Sequence, residues 1–235
     1  MTAPDLTVAV TGCLEEAGIA LWGVAACPPE PWPFAPALPR AVSLAMALTP
    51  DVVAPVETGA TPAYFAEYRR VNDALWTAAE RLAGVLRSYG ASAVPLPPTI
   101  GSSVDDEAGI DMTAAGVFAH KTAATHAGLG WIGKTAIFVS PDLGPWLRLT
   151  TVFTDAELAP AEPVTQGRCA KCRRCVDACP ADAGRDVTWH AGMPRSELLD
   201  VVACLEENDR HPDVVGQLCG VCVAVCPFGR RLLRG

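Results

Sequence analysis

Eight of the ten cysteines in this chain fall in one short stretch. They are Cys169, Cys172, Cys175, Cys179, Cys204, Cys219, Cys222 and Cys226. The first four have the spacing CxxCxxCxxxCP, and the last three repeat its end as CxxCxxxCP. Two-residue gaps let three thiolates from one tight loop meet at a single cubane cluster, while the cysteine before the proline reaches a second one. The pattern therefore predicts two 4Fe–4S clusters.

The same pattern predicts which cysteines share a cluster. The first cluster is assigned Cys169, Cys172, Cys175 and Cys226, and the second is assigned Cys204, Cys219, Cys222 and Cys179. Cys204 here replaces the missing first member of the second motif. Zinc sites and disulfides are the alternatives, but Zn(Cys)4 sites use separated CxxC pairs rather than three closely spaced cysteines before Cys-Pro. A zinc-binding structural module is therefore the weakest functional hypothesis.

Composition and charge restrict the class of protein. The net charge is −8 and half of the residues are apolar, so a sizeable core is expected. Nonspecific nucleic-acid binding is not expected, because it needs clustered Lys and Arg. The basic run of this chain lies in its tail, at Arg230, Arg231 and Arg234. The N-terminus lacks a secretory signal pattern, and no apolar run is long enough to span a bilayer. We expect a cytoplasmic protein with no membrane contact.

The earlier part of the chain alternates helical and strand patterns. Thr61-Pro62 and Gly90 delimit a helix over 62–89. Further helices are predicted over 5–17 and 112–127, and strands over 19–27, 41–49, 91–96, 135–140 and 146–154. The last two strands are expected to pair through the PDLG turn. This alternation predicts an α+β or α/β sandwich over 1–157. A cluster domain is predicted over 158–235, and the boundary between the two falls inside a linker segment, residues 155–167.

The segment GLGWIGKT, residues 128–135, matches two phosphate-loop expressions. Such loops lead from a strand into the N-terminus of a helix, whose free amides hold the anion. Here a helix precedes the glycines and a β-branched run follows them, so nucleotide binding is not expected. Gly128, Gly130 and Gly133 instead permit close approach of the backbone to a neighbour or to a large flat ligand.

Residues from about His120 to Pro227 resemble the epoxyqueuosine reductases. The resemblance is carried by HKTAATHAGLGWIGKTAIF, by DLGPWLRLTTVFTDAEL and by the two cysteine motifs. It implies a nitroreductase-like α/β sandwich that holds base-off cobalamin, beside a ferredoxin-like domain whose two clusters pass electrons to cobalt. An electron donor such as ferredoxin or flavodoxin would supply them. FMN is the alternative cofactor, because nitroreductase-like domains commonly hold it.

The chain also departs from that family. The aspartate thought to protonate the family's substrate falls on Ala114, and Asp111 lies three residues earlier. The family's additional helical-repeat domain for tRNA has no counterpart after Cys226. We therefore expect tRNA to be an unlikely substrate, and we expect a small-molecule substrate or a partner corrinoid protein instead.

Candidate chemical residues follow from position and from the resemblance. His120, Lys121 and Asp111 are the candidates for proton delivery. The candidates for contacting the cofactor are Gly128, Gly130, Trp131, Gly133, Lys134 and Arg148. The alternatives are a solvated helix face for His120 and Lys121, a core position for Trp131 and a solvated turn for Lys134.

The leading hypothesis is an iron–sulfur oxidoreductase that relays electrons through two 4Fe–4S clusters to cobalamin and reduces a small substrate. One rival is an electron-transfer or activation protein that reduces a partner's corrinoid, and the missing aspartate favours it. A second rival is a flavin-dependent iron–sulfur reductase.

Overall fold

The computed structural model describes residues 3–27, 37–99, 118–210 and 218–234. Contacts divide the chain into two compact units. The sheet unit contains Met1–Met46, Val71–Leu129 and Arg148–Pro163, and the cysteine unit contains Ala47–Arg70, Gly130–Leu147 and Val164–Gly235. The chain therefore passes between the units several times, whereas the predicted domains divide it once, after residue 157. Those domain bounds remain a prediction.

A four-stranded sheet forms the centre of the sheet unit. Its strands are β1 (Leu21–Ala26), β2 (Arg40–Ala47), β3 (Ala93–Leu96) and β6 (Leu147–Thr154), in the order β1-β2-β6-β3. The β1–β2 pair is antiparallel with Val24 opposite Val42, and the β3–β6 pair is antiparallel with Val94 opposite Phe153. Strand β6 has a neighbour on each side, and all its residues except Arg148 are buried. Its nearly continuous burial fits this central place.

The helices are α1 (Ala3–Glu16), α2 (Pro50–Val53), α3 (Pro62–Ser88) and α4 (His120–His126). The predicted helix over 62–89 is α3. The Thr61 hydroxyl caps it by accepting from the Tyr64 amide at 3.1 Å, and Gly90 ends it with a φ of 85°. Its apolar stripe is buried, with Leu75 and Leu82 fully covered. Of the predicted helix over 112–127, residues 112–117 lie outside the described residues.

The predicted pairing of 135–140 with 146–154 is wrong. Strand β5 (Phe138–Val139) pairs instead with β4 (Trp131–Ile132) in a separate two-stranded sheet, while β6 joins the four-stranded sheet. The reason lies at Gly130, where an added Cβ would lie 2.8 Å from Phe138 Cζ and closer still to the Val139 carbonyl. Because glycine has no Cβ, the backbone before β4 can approach β5 this closely.

The cysteine unit consists mainly of short helices: α5 (Arg174–Asp177), α6 (Val201–Asn208), α7 (Val221–Ala224) and α8 (Pro227–Arg230). Three 3-10 turns accompany them, at Ala54–Thr58, Arg195–Glu197 and Arg231–Arg234. Trp146 is fully buried in this unit, and its indole N–H donates to the Val223 carbonyl at 2.9 Å. Among the residues that the structure describes, no helix is both long and apolar enough to cross a membrane.

The first part of the predicted linker packs against the strands of the sheet unit. Leu158 is buried, and its carbonyl accepts from Arg40 Nε at 3.2 Å. The Ala161 amide donates to the Val24 carbonyl of β1 at 2.8 Å. Residues 155–163 therefore pack within the sheet unit.

Candidate metal centre

A pocket with an almost entirely apolar lining lies within the cysteine unit. The empty space of the pocket, including the part that is open to solvent, is about 400 Å³. It is lined by Cys169, Cys172, Cys175, Cys222 and Cys226, together with Gly133, Ile137, Val139, Pro227 and Phe228. All four cysteines assigned to the first cluster therefore meet at one pocket, and Cys222 joins them.

Short turns and helix ends place these thiols. The Cys172 amide donates to the Cys169 carbonyl at 2.9 Å, which closes the first turn. Cys175 lies on α5 and Cys222 on α7, and the two helices contact each other. Cys226 is the N-cap of α8 with Pro227 immediately after it. Proline is favoured at the start of a helix, so the Cys-Pro pair orients the last cysteine at a helix end.

The remaining cysteines form a second group. Cys204 lies on α6, which is capped by Asp200 accepting from the Ala203 amide at 3.2 Å. Burial raises the pKa of the Cys204 thiol, and the nearby Cys179 raises it further. Burial also raises the pKa of Cys219, with Cys179 and Cys204 among the smaller contributions. These electrostatic effects place Cys179, Cys204 and Cys219 in the same part of the cysteine unit, and their assignment to a second cluster stays a prediction.

Burial disfavours the thiolate form of two cysteines at the pocket. It raises the pKa of Cys222 to about 12 and that of Cys226 to about 11. For Cys226 the backbone amides of Phe228 and Gly229 oppose this rise by donating to the sulfur. Thiolates are the metal ligands, so loading the pocket must displace protons from these groups.

The arrangement of donors fits a cluster better than a single ion. Within the ranges that the structure describes, no three His, Cys, Asp or Glu side chains converge closely enough to hold one metal ion. A zinc ion needs all its thiolates about 2.3 Å from one centre, whereas a four-iron cluster binds each thiolate at a different iron atom. The five cysteines that line the pocket are the candidate ligands for such a cluster.

The glycine-rich turn has mainly structural roles. Gly133 lines the cysteine pocket, while Gly130 is closed against β5 as described above. Gly128 belongs to the sheet unit, with a φ of 74° and an added Cβ only 3.0 Å from the Glu162 carbonyl. Close backbone approach therefore explains Gly128 and Gly130, whereas Gly133 lies at the candidate metal site.

Trp131 and Lys134 are both buried in the cysteine unit. The Trp131 ring meets Phe228 edge-on with centroids 5.0 Å apart, so the core alternative describes it well. The Lys134 ammonium donates to Asp186 at 2.7 Å, and Arg173 contacts the other oxygen of that carboxylate. The alternative of a solvated turn for Lys134 is therefore wrong, because the side chain is only 4% exposed and its charge is paired.

The remaining candidates belong to the sheet unit. His120 is half-buried, with Nε2 2.8 Å from the Pro97 carbonyl and Nδ1 2.9 Å from the Thr151 hydroxyl. A carbonyl only accepts, so Nε2 carries the hydrogen and Nδ1 accepts from Thr151. Burial is the main reason that the pKa of His120 falls to about 4, and the charge of Arg148 adds to it. The ring is thus neutral at pH 7, with both nitrogens engaged.

Arg148 is held in place by two polar neighbours. Its Nε donates to Asn72 Oδ1 at 2.9 Å and its Nη2 donates to the Thr99 hydroxyl at 3.0 Å. Lys121 is half-buried on α4. Asp111 and Ala114 lie outside the described residues. The described candidates His120, Lys121, Gly128 and Arg148 therefore belong to the sheet unit, whereas Gly130, Trp131, Gly133 and Lys134 belong to the cysteine unit.

Two features of the cysteine unit were missed from the sequence. Basic residues lie directly before Cys169 and between the first three cysteines. They are Arg168, Lys171, Arg173 and Arg174, and all four are exposed. This run, Arg168–Arg174, was visible in the sequence as basic residues without intervening acids. The other feature is Thr135, a buried threonine beside Lys134, for which the sequence offered no signal.

Comparison with known proteins defines the class of the cysteine-rich part. Residues 168–229 match the family described as a 4Fe-4S double cluster binding domain. The prediction of two 4Fe–4S clusters is thus confirmed. This part of the chain is a double-cluster iron–sulfur domain.

The relatives of the chain are reductases. The epoxyqueuosine reductase of Synechocystis is 32% identical over 125 residues, which are 49% of this chain and 41% of that protein. The tetrachloroethene reductive dehalogenase of Sulfurospirillum multivorans is 36% identical over 117 residues, 45% of this chain and 22% of that one. The chain therefore spans less than half the length of these curated relatives. The resemblance is confirmed: the chain is epoxyqueuosine reductase-like.

Solved structures extend the similarity in fold to almost the whole chain. The catabolic reductive dehalogenase NpRdhA matches 96% of this chain and 33% of its own, with a TM-score of 0.74 at 20% identity. An epoxyqueuosine reductase from Bacillus subtilis matches 97% of this chain and 66% of its own, with a TM-score of 0.63 at 16% identity. The mixed α/β fold is confirmed as one shared with both kinds of reductase, whereas the nitroreductase-like description is not confirmed.

Two further structures bear on cofactor and substrate. One reductive dehalogenase neighbour is described in terms of B12-dependent dehalogenation. One epoxyqueuosine reductase neighbour holds an epoxyqueuosine-modified tRNA stem loop. The expectation that tRNA is an unlikely partner is therefore not supported.

Proposed function

We propose that this chain is an iron–sulfur oxidoreductase in which two 4Fe–4S clusters carry electrons to a second cofactor, which reduces the substrate. The observation that carries the proposal is the pocket at which Cys169, Cys172, Cys175 and Cys226 meet. These residues come from the two ends of the double-cluster segment, as the crossed ligand pattern of two-cluster domains requires. The similarity to two kinds of reductase supports a redox role for the clusters.

We propose that the clusters use all eight cysteines of the two motifs. The first would be held by four of the five cysteines at the pocket, namely Cys169, Cys172, Cys175 and Cys226. The second would be held by Cys222 together with Cys179, Cys204 and Cys219. The influence of Cys179 on the pKa values of Cys204 and Cys219 supports the second set. An apolar lining around the first set fits a group that exchanges electrons without exchanging water.

Cobalamin is the second cofactor that we propose, with FMN as the alternative. The B12-dependent neighbour supports cobalamin. The described residues first considered for cofactor contact do not by themselves form a cradle for a corrin. Trp131 and Lys134 are buried in other contacts, and Gly130 faces β5. For this reason we assign no chemical step to the second cofactor.

An acidic electron donor, such as ferredoxin or flavodoxin, fits the surface near the first cluster. The basic run Arg168–Arg174 is exposed and contains no acidic residue, in a chain whose net charge is −8. Opposite charges on two surfaces steer their encounter and orient the complex. The run surrounds the first three cysteine ligands, so a docked donor would be close to the first cluster.

The same chain could serve as an electron-transfer protein without a substrate of its own. The observation that favours this second candidate is His120, whose two ring nitrogens are both engaged and whose pKa is about 4. Such a ring is a poor proton donor at pH 7. Lys121 and Asp111 remain the proposed proton donors if the chain is a substrate reductase.

The test is anaerobic purification with hydroxocobalamin and FMN both supplied, followed by iron, cobalt and flavin analysis of one sample. About eight irons with one cobalt per chain would support the proposed reductase. About eight irons with neither cobalt nor flavin would favour the electron-transfer protein. Zinc in place of iron would overturn both.

A further inference from the structure

Thr135 is a buried polar residue with no assigned role. It lies in the turn between β4 and β5, outside the segment that matches the double-cluster family. The residue is 4% exposed, and its hydroxyl has no hydrogen-bond partner among the residues that the structure describes. A buried hydroxyl without a partner costs free energy, so its presence calls for an explanation.

The side chain of Thr135 is fixed against the cluster helices. A Cβ built on Gly184 would lie 3.3 Å from Thr135 Cγ2 and 3.2 Å from Val176 Cγ2. The Thr135 methyl group and Val176 therefore share the space that this glycine leaves free. Val176 follows Cys175 directly on α5, so the Thr135 side chain lies under the helix that carries this cysteine.

The hydroxyl lies beside equivalent cysteines of the two motifs. Cys175 is the third cysteine of the first motif, and Cys222 is the third of the second when Cys204 is counted as its first member. Their helices, α5 and α7, contact each other. Gly133 and Ile137, two residues before and two residues after Thr135, line one pocket together with Cys175 and Cys222. The turn that carries the buried hydroxyl therefore borders one ligand from each cluster.

We propose that Thr135 is a hydrogen-bond donor that makes the two clusters unequal. In the loaded protein its hydroxyl would donate to the sulfur of either Cys175 or Cys222. A hydroxyl has a single hydrogen, so only one cluster receives the bond at a time. Hydrogen bonds to cluster sulfurs favour the more negative, reduced state and raise the reduction potential. The bonded cluster becomes the better electron acceptor, which gives the relay a direction. This inference rests on the proposed function of the two clusters.

The test compares the potentials of both clusters in three variants by redox titration monitored with electron paramagnetic resonance. Thr135→Val removes the donor and keeps the shape, and Thr135→Ser keeps the donor. Thr188→Val removes an exposed threonine hydroxyl of the same unit and is the matched control. Iron content is measured first, because a wild-type protein with fewer than about eight irons would contradict the proposed function itself.

In fully loaded protein we expect Thr135→Val to lower one potential only, by the equivalent of about a tenfold change in the reduction equilibrium, or about 59 mV for one electron. Thr135→Ser and Thr188→Val should keep both potentials. Unchanged potentials in a loaded Thr135→Val would overturn the proposal while leaving the proposed function intact. If Thr135→Val loses iron, Thr135→Ala, which also removes the hydroxyl, is titrated in its place, and unchanged potentials in that variant would overturn the proposal as well.

Discussion

Gly229 lies in α8, near the end of the cysteine segment, and packs against the loop before β6. Replacing Gly229 with alanine tests how tightly this part of the cysteine unit is packed. An added Cβ would lie 2.7 Å from Trp146 Cε2 and closer still to Cδ1 and Nε1. Trp146 is fully buried and cannot move aside without losing its hydrogen bond to Val223. Retreat in the other direction is also blocked, because a Cβ on Gly144 would already lie 2.6 Å from Gly229 Cα.

The expected cost follows from these contacts. Overpacking of a closed core typically costs about 1–3 kcal/mol, and weakening the Trp146 hydrogen bond adds about 1 kcal/mol. We therefore expect Gly229→Ala to lower the free energy of unfolding by about 2–4 kcal/mol and the melting temperature by roughly 5–15 °C. The amides of Phe228 and Gly229 donate to the Cys226 thiol, so iron retention should fall as well.

Thermal unfolding and iron analysis of the anaerobically prepared protein are the assays. Gly84→Ala is the matched control, because Gly84 lies inside α3 and an added Cβ would meet no atom within 4 Å. Alanine is favoured over glycine in a helix interior by up to about 1 kcal/mol, so this variant should be more stable than the wild type. A Gly229→Ala protein with wild-type stability and full iron content would refute the packing argument.

Three further predictions concern the cysteines, the basic run and His120. Cys204→Ala should lower the iron content from about eight to about four per chain. The control Cys13→Ala, in α1 of the sheet unit, should leave the iron content unchanged. Unchanged iron in Cys204→Ala would contradict the second ligand set. Replacing Lys171 and Arg174 with Glu should slow the reduction of the clusters by an acidic donor about tenfold at low salt and much less at high salt. If Arg69→Glu slowed this reduction by the same factor, the result would argue against docking at the run Arg168–Arg174. The depressed pKa of His120, about 4, means that the unfolded chain takes up the proton first on acidification, so stability is lost as the pH falls from about 6.5 towards 4. Solvent screening of the half-buried ring is allowed for in the expected size. In denaturant titrations, the free energy of unfolding of the wild type should fall by about 1–2 kcal/mol more than that of His120→Gln between pH 7 and pH 5. Equal falls in the two proteins would contradict the buried neutral ring.

The sequence predicted the clusters well because their chemistry is local. Cysteine spacing reflects how far apart thiolates can be on one tight loop, and the Cys-Pro pair marks a helix start, as Cys226 and α8 show. The long helix α3 was equally readable, since Thr61, Pro62 and Gly90 define its ends and its apolar stripe keeps one period. In these cases the determining contacts lie within a few residues of each other.

Long-range contacts explain what the sequence could not give. The partner of β5 depends on how closely the backbone before β4 approaches at Gly130, which a hairpin pattern does not encode. Lys134 looked like a solvated turn residue because its partner, Asp186, lies 52 residues away. Thr135 carried no signal at all, because its interest comes from two cysteines that are distant in the chain and close in the fold.

Iron and acid-labile sulfide analysis of anaerobically purified protein, combined with the electron paramagnetic resonance spectrum after reduction, tests the central claim most directly. We expect about eight irons and about eight sulfides per chain, with signals of two interacting reduced 4Fe–4S clusters. Stoichiometric zinc, or iron without sulfide, would contradict the assignment of the cysteine motifs to an electron relay.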